Sequence, residues 1–285
     1  MRSRAAVARS CITANQPSHR INKKTRSNYT PTFKVLNAAD YGVPQMRERF
    51  FMVAARDGGK FEFPAPRFAA PDEQPMLIDV RNLPTFRTAW DALGDLTDPE
   101  NAEALVMRGK WAELLPTIPE GQNYLWHTER GGGLPLFGWR RRYWTFLLKL
   151  AKHRPSWTIQ AQPGPAVGPF HWNNRRLSMR ELARLQTFPD DVVITGKHSS
   201  VHKQLGNAVP SLLAEVVGRE IRRQLFGETG VSRTPTLLPP DRGTPPSAEN
   251  VGTVPRRFRQ LMGEHSAHPG TGKGHRARAG FQPAA

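Results

Sequence analysis

The sequence predicts an α/β fold flanked by disordered ends, and three observations lead to this prediction. Residues 50–55 (FFMVAA) form a continuous apolar run, which is typical of a buried strand. Residues 175–227 contain two helix starts, each followed by apolar residues at helical spacing. The 26 prolines and the low hydrophobic fraction of 38% favour long irregular stretches in a chain of 285 residues. We therefore expect a folded middle between two irregular termini.

The N-terminal part predicts a disordered segment followed by two strands. Residues 1–31 are polar and basic without periodicity, whereas residues 33–36 can begin a strand. Gln45, Arg47 and Arg49 lead into the apolar run, and on an extended chain their side chains share one face. An amide and two guanidiniums placed in this way can hold a phosphate or a polar base edge through forked hydrogen bonds. A solvated strand end would carry the same residues.

The middle of the chain is less regular. The sequence predicts a crossing segment at 58–86, a short helix at 88–93, a flexible loop at 131–133 and a strand at 157–160. Segment 139–150 (WRRRYWTFLLKL) mixes arginines with aromatic residues and has two interpretations. It can form an amphipathic helix with Trp144, Leu147 and Leu148 in the core, or it can contact nucleic acid through phosphate pairing and base stacking.

The C-terminal part predicts two helices joined by a polar loop. Ser178 and Glu181 form a capping box that begins a helix at about 179–186. A second helix begins near Pro210, which suits a first turn, and ends at Gly227. Its helical spacing is carried by Leu212, Leu213, Val216, Val217, Ile221 and Leu225. The segment that follows, 228–285, is rich in Pro, Gly, Arg and Thr and is expected to be a disordered tail.

Charge and composition narrow the function classes. The net charge is +17, and residues 140–203 alone carry twelve Lys and Arg against three Asp and Glu. A basic folded stretch favours a polyanion such as nucleic acid as partner, although a basic surface kept for solubility has the same composition. The single cysteine, Cys11, excludes a disulfide framework and a cysteine-rich zinc site, and we predict no metal site. No apolar run approaches the roughly 18 residues of a membrane span.

Three blocks of sequence together resemble the C-terminal half of a DNA (cytosine-5) methyltransferase. Residues 35–56 (VLNAADYGVPQMRERFFMVAAR) resemble the eighth conserved block of that family, with its Q-x-R-x-R core. Residues 155–191, which contain NNRRLSMRELARLQTFPDD, resemble the ninth block, and residues 203–221 (KQLGNAVPSLLAEVVGREI) resemble the tenth. The stretch 58–154 falls where the family keeps its variable target-recognition region. The blocks are long and stand in the family's order.

The resemblance implies roles for individual residues. Arg49 matches the arginine that contacts the carbonyl oxygen of the flipped cytosine, and Arg47 matches the one that helps to hold the DNA and the active site. Gln45 belongs to the same catalytic core. Asn207 and the backbone at Ala208 match the block that completes the pocket for the cofactor S-adenosylmethionine.

Double-stranded DNA is the substrate that the resemblance implies. We expect DNA contacts from the basic stretch, at Arg140, Arg141, Arg142 and Arg175. Arg176, Glu181 and Arg184 match the ninth block, which mainly braces the target-recognition domain, and are expected to be structural.

The sequence also departs from the family pattern. It contains no Pro-Cys pair for the family's nucleophile and no F-x-G-x-G cofactor loop. Cys11 lies in RSCITA with no strand before it and is not expected to be that nucleophile. The family's Glu-Asn-Val block should precede the Q-x-R-x-R block, whereas the literal Glu249-Asn250-Val251 follows the tenth block and is interpreted as a coincidence.

The implied fold is the C-terminal part of a Rossmann-like class I methyltransferase sheet, together with a small mixed α/β target-recognition domain and disordered basic termini. The expected division is a disordered N-terminus at 1–31, the last strands of the catalytic domain at 32–57, the target-recognition domain at 58–174, a bracing and a returning helix at 175–227, and a disordered tail at 228–285. Without the missing half, the strands would expose an apolar face.

Three functional hypotheses remain open. The chain can be one half of a split methyltransferase that acts with a complementary chain, or a truncated product that is inactive. It can also be a non-catalytic, sequence-specific DNA-binding module. In each case a bacterial, cytoplasmic and nucleoid-associated protein is expected, in the context of DNA methylation and restriction-modification.

Overall fold

The computed structural model describes most of the chain between the two termini. The described residues are 22–23, 27–70, 83–97, 99, 102–138 and 143–263. Most of the N-terminal segment predicted to be disordered, the Trp139–Arg142 part of the basic segment, and residues 264–285 lie outside them. In the described part of the chain, no helix is long and apolar enough to cross a membrane. The same residues contain no group of three His, Cys, Asp or Glu side chains that could hold a metal ion.

The two predicted strands form an antiparallel hairpin. Strand β1 (Thr32–Asn37) pairs with strand β2 (Glu48–Val53), and Val35 lies opposite Phe50. We predicted that β2 would be buried on both faces, but its exposure alternates along the strand. Phe50 is 51% exposed, whereas Phe51 packs towards the core. The apolar run is therefore a strand covered on one face only among the described residues.

Five α-helices lie entirely within the described ranges. They are α1 (Ala89–Leu93), α2 (Ala102–Leu105), α3 (Met179–Leu185), α4 (His198–Asn207) and α5 (Ser211–Leu225). The capping box predicted for α3 is present, because Ser178 accepts from the Glu181 amide while the Glu181 carboxylate accepts from the Ser178 amide. Helix α5 follows Pro210, and Gly227 just beyond it has a φ of 64°, which favours glycine.

Helix α4 replaces the polar loop that we predicted between α3 and α5. Only Val201 and Leu205, one turn apart, are large apolar residues in its sequence HSSVHKQLGN, and both are buried. They pack into a core cluster with α1, α3 and Trp172. The prediction was wrong because two apolar positions give too thin a pattern, and the neighbouring helices supply the stabilisation instead.

Segment 143–150 is not a helix, contrary to one of our two interpretations. The Leu147 amide donates to Ala166 over 2.9 Å, and the Phe170 amide donates to Leu148 over 2.8 Å. Leu147 and Leu148 are buried as predicted, whereas Trp144 is exposed. Long-range backbone pairing therefore overrides the local helical pattern. The strand predicted at 157–160 is likewise absent, since the nearest pairing is an isolated bridge at Ser156.

The C-terminal strap, residues 228–263, corrects the prediction of a disordered tail. Leu237 and Leu238 pack beside the cluster formed by the hairpin and α5. Arg242 donates to Asp91, and Phe258 is buried in a third cluster with Leu114 and Leu147. The anchors are separated by irregular backbone, so they have no periodicity that a sequence pattern could reveal.

Candidate active-site and DNA-contact residues

The three predicted catalytic side chains lie on one inward face, with Gln45 and Arg47 in the segment just before β2 and Arg49 inside the strand. Gln45 and Arg47 are buried and Arg49 is partly exposed, whereas Met46 and Glu48 between them are more exposed than their neighbours. The side chains of Gln45, Arg47 and Arg49 therefore share one face, as predicted from the alternation along an extended chain, but this face points into the protein. Burial of Gln45 is complete, and neither atom of its amide has a hydrogen-bond partner among the described residues. Such a buried amide costs about 1–3 kcal/mol.

Arg47 lies in a cage of backbone carbonyls. Its Nη1 donates to Ile159 over 3.2 Å, and its Nη2 donates to Gly206 and Ala208 over 2.6 and 2.9 Å. Burial, and to a lesser extent the positive charge of Arg49, lowers the pKa of Arg47 to about 10, so the guanidinium stays charged at neutral pH. With only 1% of its surface exposed, Arg47 holds protein rather than ligand.

Of the three predicted catalytic residues, Arg49 is the one whose positive charge is available to a ligand. Its Nη1 donates to the carbonyl of the preceding residue, Glu48, over 2.8 Å. No carboxylate of the described chain pairs with it, and burial lowers its pKa. A partly buried guanidinium without a counter-charge can stabilise an oxygen that carries negative charge.

The turn between α4 and α5 carries the two predicted cofactor residues. Asn207 is the last residue of α4 and is exposed, and Ala208 follows it with an extended backbone. A Cβ atom at Gly206 would lie 2.3 Å from the Cα of Ala161, so only glycine fits against that backbone. Asn207 therefore projects from a turn whose inner side is closely packed.

The predicted DNA contacts divide into two groups. Arg140, Arg141 and Arg142 lie outside the described residues, so DNA contact by these arginines stays a prediction. The prediction that Arg175 contacts DNA is wrong, because its guanidinium is buried. Its two terminal nitrogens donate to the two oxygens of the Glu181 carboxylate over 2.9 and 2.8 Å. This bidentate pair ties the segment before α3 to the helix start, and it leaves no free face for a phosphate.

An exposed aromatic group includes the two residues that follow the arginine run in sequence. Trp144 is 44% exposed, Trp157 is 41% exposed, and their rings meet edge to face at 5.4 Å, with exposed Tyr143 adjacent in sequence. We named Trp144 only in the helical interpretation of its segment, as a core residue, and Trp157 only as the start of a predicted strand, so this exposed pair was not predicted. The segment of Trp157 is attached to the segment just before β2, since the Met46 amide donates to the Ser156 carbonyl over 2.8 Å. The exposed aromatic group is thus connected by one backbone bridge to the candidate active site.

Comparisons with known proteins give the chain its family. The model of the C-5 cytosine-specific DNA methylase family matches residues 15–223. The type II methyltransferase M.SacI of Streptomyces achromogenes is 49% identical over 210 residues, covering 70% of this chain and 53% of that protein. M1.HphI of Haemophilus parahaemolyticus is 33% identical over 225 residues, covering 72% of this chain and 54% of that protein.

M.BbvI of Brevibacillus brevis, another type II methyltransferase, is 33% identical over 180 residues, covering 62% of this chain and 45% of that protein. The chain thus spans about half the length of the curated relatives named here. The family match includes the three blocks that carry the resemblance, with the Gln45–Arg49 core and the Asn207 turn inside it. By this match over most of its length, the chain belongs to the C-5 cytosine-specific DNA methylase family.

Proposed function

We propose that this chain is the C-terminal half of a split DNA (cytosine-5) methyltransferase, which acts with a complementary chain. The observation that carries the proposal is Arg49, a partly buried guanidinium without a carboxylate partner in the described chain, beside the caged Arg47. The sequence has no Pro-Cys pair, and we propose that the complementary chain supplies the nucleophile. Family membership supports the reaction type.

Arg49 has a definable task in this reaction. Methylation of C5 requires the cytosine to leave the DNA helix, so a protein pocket must replace its stacking and pairing. Addition of a nucleophile to C6 makes C5 electron-rich, and negative charge then develops on the ring and its carbonyl oxygen. The Arg49 guanidinium at that oxygen would stabilise the charge as an oxyanion hole does.

The cofactor site is only partly supplied by this chain. S-adenosylmethionine, when bound, would supply the methyl group. Asn207 and the backbone at Ala208 fit one edge of its pocket, because the side chain of Asn207 is exposed on a turn with a closely packed inner side. The sequence has no F-x-G-x-G loop, and we propose that the complementary chain provides it.

The exposed apolar face of the hairpin supports the proposal of a complementary chain. This face consists of Phe33, Val35, Phe50 and Met52, which the strand register places on one side of the sheet. Phe50 and Met52 are 51% and 54% exposed, and the rings of Phe33 and Phe50 stack at 6.2 Å. Covering such apolar surface is favourable. We propose that the complementary chain packs here and continues the sheet domain.

The first test is reconstitution. Neither this chain nor the part of M.SacI outside its match to this chain should transfer tritiated methyl groups to DNA alone, whereas the mixed pair should. Cys11→Ser should leave the activity of the pair unchanged, because this cysteine is not the proposed nucleophile. Incorporation by this chain alone, abolished by Cys11→Ser, would contradict the split-enzyme proposal. Sequence-specific DNA binding without activity of the pair would favour the non-catalytic DNA-binding module.

The second test is the salt dependence of DNA binding. Residues 140–203 have a net charge of +9, from twelve cations and three anions, so we expect the chain to bind duplex DNA weakly and with counterion release. Replacing Arg140, Arg141 and Arg142 with alanine should reduce the slope of log K against log salt by about 0.9 for each lost phosphate contact. A control replaces two arginines near the end of α5, Arg222 and Arg223, which already pair with glutamates, and the slope should change less for each arginine removed. An affinity that is the same at low and moderate salt would contradict this prediction.

A further inference from the structure

The α4–α5 turn depends on contacts from distant parts of the chain. The last carbonyls of a helix have no partner within the helix, and they carry the negative end of its dipole. In α4, the carbonyl of Leu205 accepts from the buried side chain of Gln186. The carbonyls of Gly206 and Ala208 both accept from Arg47 Nη2. A buried cation and a buried amide therefore terminate this helix.

The same guanidinium joins the turn to a third segment. Arg47 Nη1 donates to the carbonyl of Ile159. In the same segment, the carbonyl of Gln160 accepts from Nε2 of His202, a residue of α4, over 3.0 Å. Gly206 packs directly against the backbone of Ala161. The side chain of Arg47 thus lies where the segment just before β2, segment 156–161 and the end of α4 meet.

We propose that Arg47 is a positioning residue, which acts by fixing the α4–α5 turn so that Asn207 is held ready for the cofactor. Three observations carry the proposal: the guanidinium is buried, it binds backbone carbonyls on both sides of Asn207, and Asn207 itself is exposed. Arg47 would then act on cofactor affinity, whereas Arg49 acts on turnover. The cofactor part rests on the proposed function, but the fixing of the turn does not.

The first experiment measures amide hydrogen exchange on the full chain alone. The reporters are the amides of Ala208, Ser211 and Leu212, which donate to Gln204, Gln186 and Thr187 in and beside the turn. Arg47→Met keeps an unbranched stem but removes the donors, and it should lower protection at these amides by about tenfold or more, because hydrogen bonds from a charged donor are lost. Protection of the β1–β2 amides should change much less.

Two further variants make the result specific. Arg49→Met removes the neighbouring guanidinium and should leave protection of the turn unchanged. Arg47→Lys keeps the charge but loses the planar fork, so it should restore only part of the protection. If Arg47→Met fails to fold, Arg47→Lys and Arg49→Met still decide the question. Unchanged protection of the turn in the Arg47 variants would overturn the proposal.

The second experiment measures binding of S-adenosylmethionine to the reconstituted pair. Arg47→Lys should raise its Kd several-fold, whereas the Kd for duplex DNA should stay within about twofold. Loss of turn protection with unchanged cofactor affinity would overturn the cofactor half of the proposal. If the wild-type pair binds no cofactor, the proposed function fails, and the exchange measurement still decides whether Arg47 fixes the turn.

Discussion

In the reconstituted pair, Arg49→Ala is expected to lower kcat by about a hundred- to a thousand-fold, which is the usual effect of removing one oxyanion-hole donor. The guanidinium would meet a carbonyl oxygen whose negative charge grows along the reaction. A contact that strengthens in the transition state lowers the barrier, whereas a contact of constant strength only holds the substrate. The Kd for DNA should therefore change little. Single-turnover methylation and equilibrium binding on the same preparation would separate the two effects.

Two control variants separate the geometry of the Arg49 guanidinium from its charge. Arg49→Lys keeps the charge without the planar fork and should recover only part of the rate. Arg56→Ala removes an equal charge from an exposed position just beyond the hairpin, and it should leave kcat almost unchanged. If Arg49→Ala weakened DNA binding and left kcat intact, Arg49 would be a backbone clamp and not a catalytic residue.

The second large effect concerns the buried pair that begins helix α3. Glu181 accepts both arms of Arg175 and the Ser178 amide, and Glu181 and Arg175 are buried. Glu181→Gln would leave the Arg175 guanidinium buried without its counter-charge. We expect the free energy of unfolding to fall by about 3–5 kcal/mol, the usual cost of breaking a buried ion pair. Urea denaturation of the full chain would measure this loss.

The same helix offers a matched control. Arg180 pairs with Asp190 on the exposed side of α3, over 2.7 Å. Arg180→Ala should cost at most about 1 kcal/mol, because exposed ion pairs contribute little. Equal losses for Glu181→Gln and Arg180→Ala would contradict a special role for the buried pair.

The buried pair also predicts how stability depends on pH. Burial alone would raise the pKa of Glu181, but the hydrogen bonds from Arg175 and the Ser178 amide outweigh it and hold the pKa below its ordinary value. A carboxylate with a lower pKa in the folded state stabilises the protein above its unfolded pKa, about 4.3 for glutamate. That stabilisation is lost as the pH falls below this value through the folded pKa. Glu181→Gln should therefore flatten the acid limb of the stability curve.

The sequence by itself determined the local features of this protein, which depend on residues only a few positions apart. The Ser178–Glu181 capping box joins residues three positions apart, so its hydrogen bonds form wherever that helix begins. The alternation of Gln45, Arg47 and Arg49 follows from strand geometry in the same way. The blocks of the resemblance are likewise continuous strings, and the family match covers them.

Only the tertiary structure decided which of these side chains are free to act. Arg47 donates to carbonyls 112, 159 and 161 positions away in sequence, and no local pattern predicts such a cage. Arg175 stood among arginines that looked alike in sequence, yet the packing of α3 buried it against Glu181. Burial depends on which distant segments meet. The folded chain was therefore needed to distinguish Arg49, which has no carboxylate partner among the described residues, from the caged Arg47 and the paired Arg175.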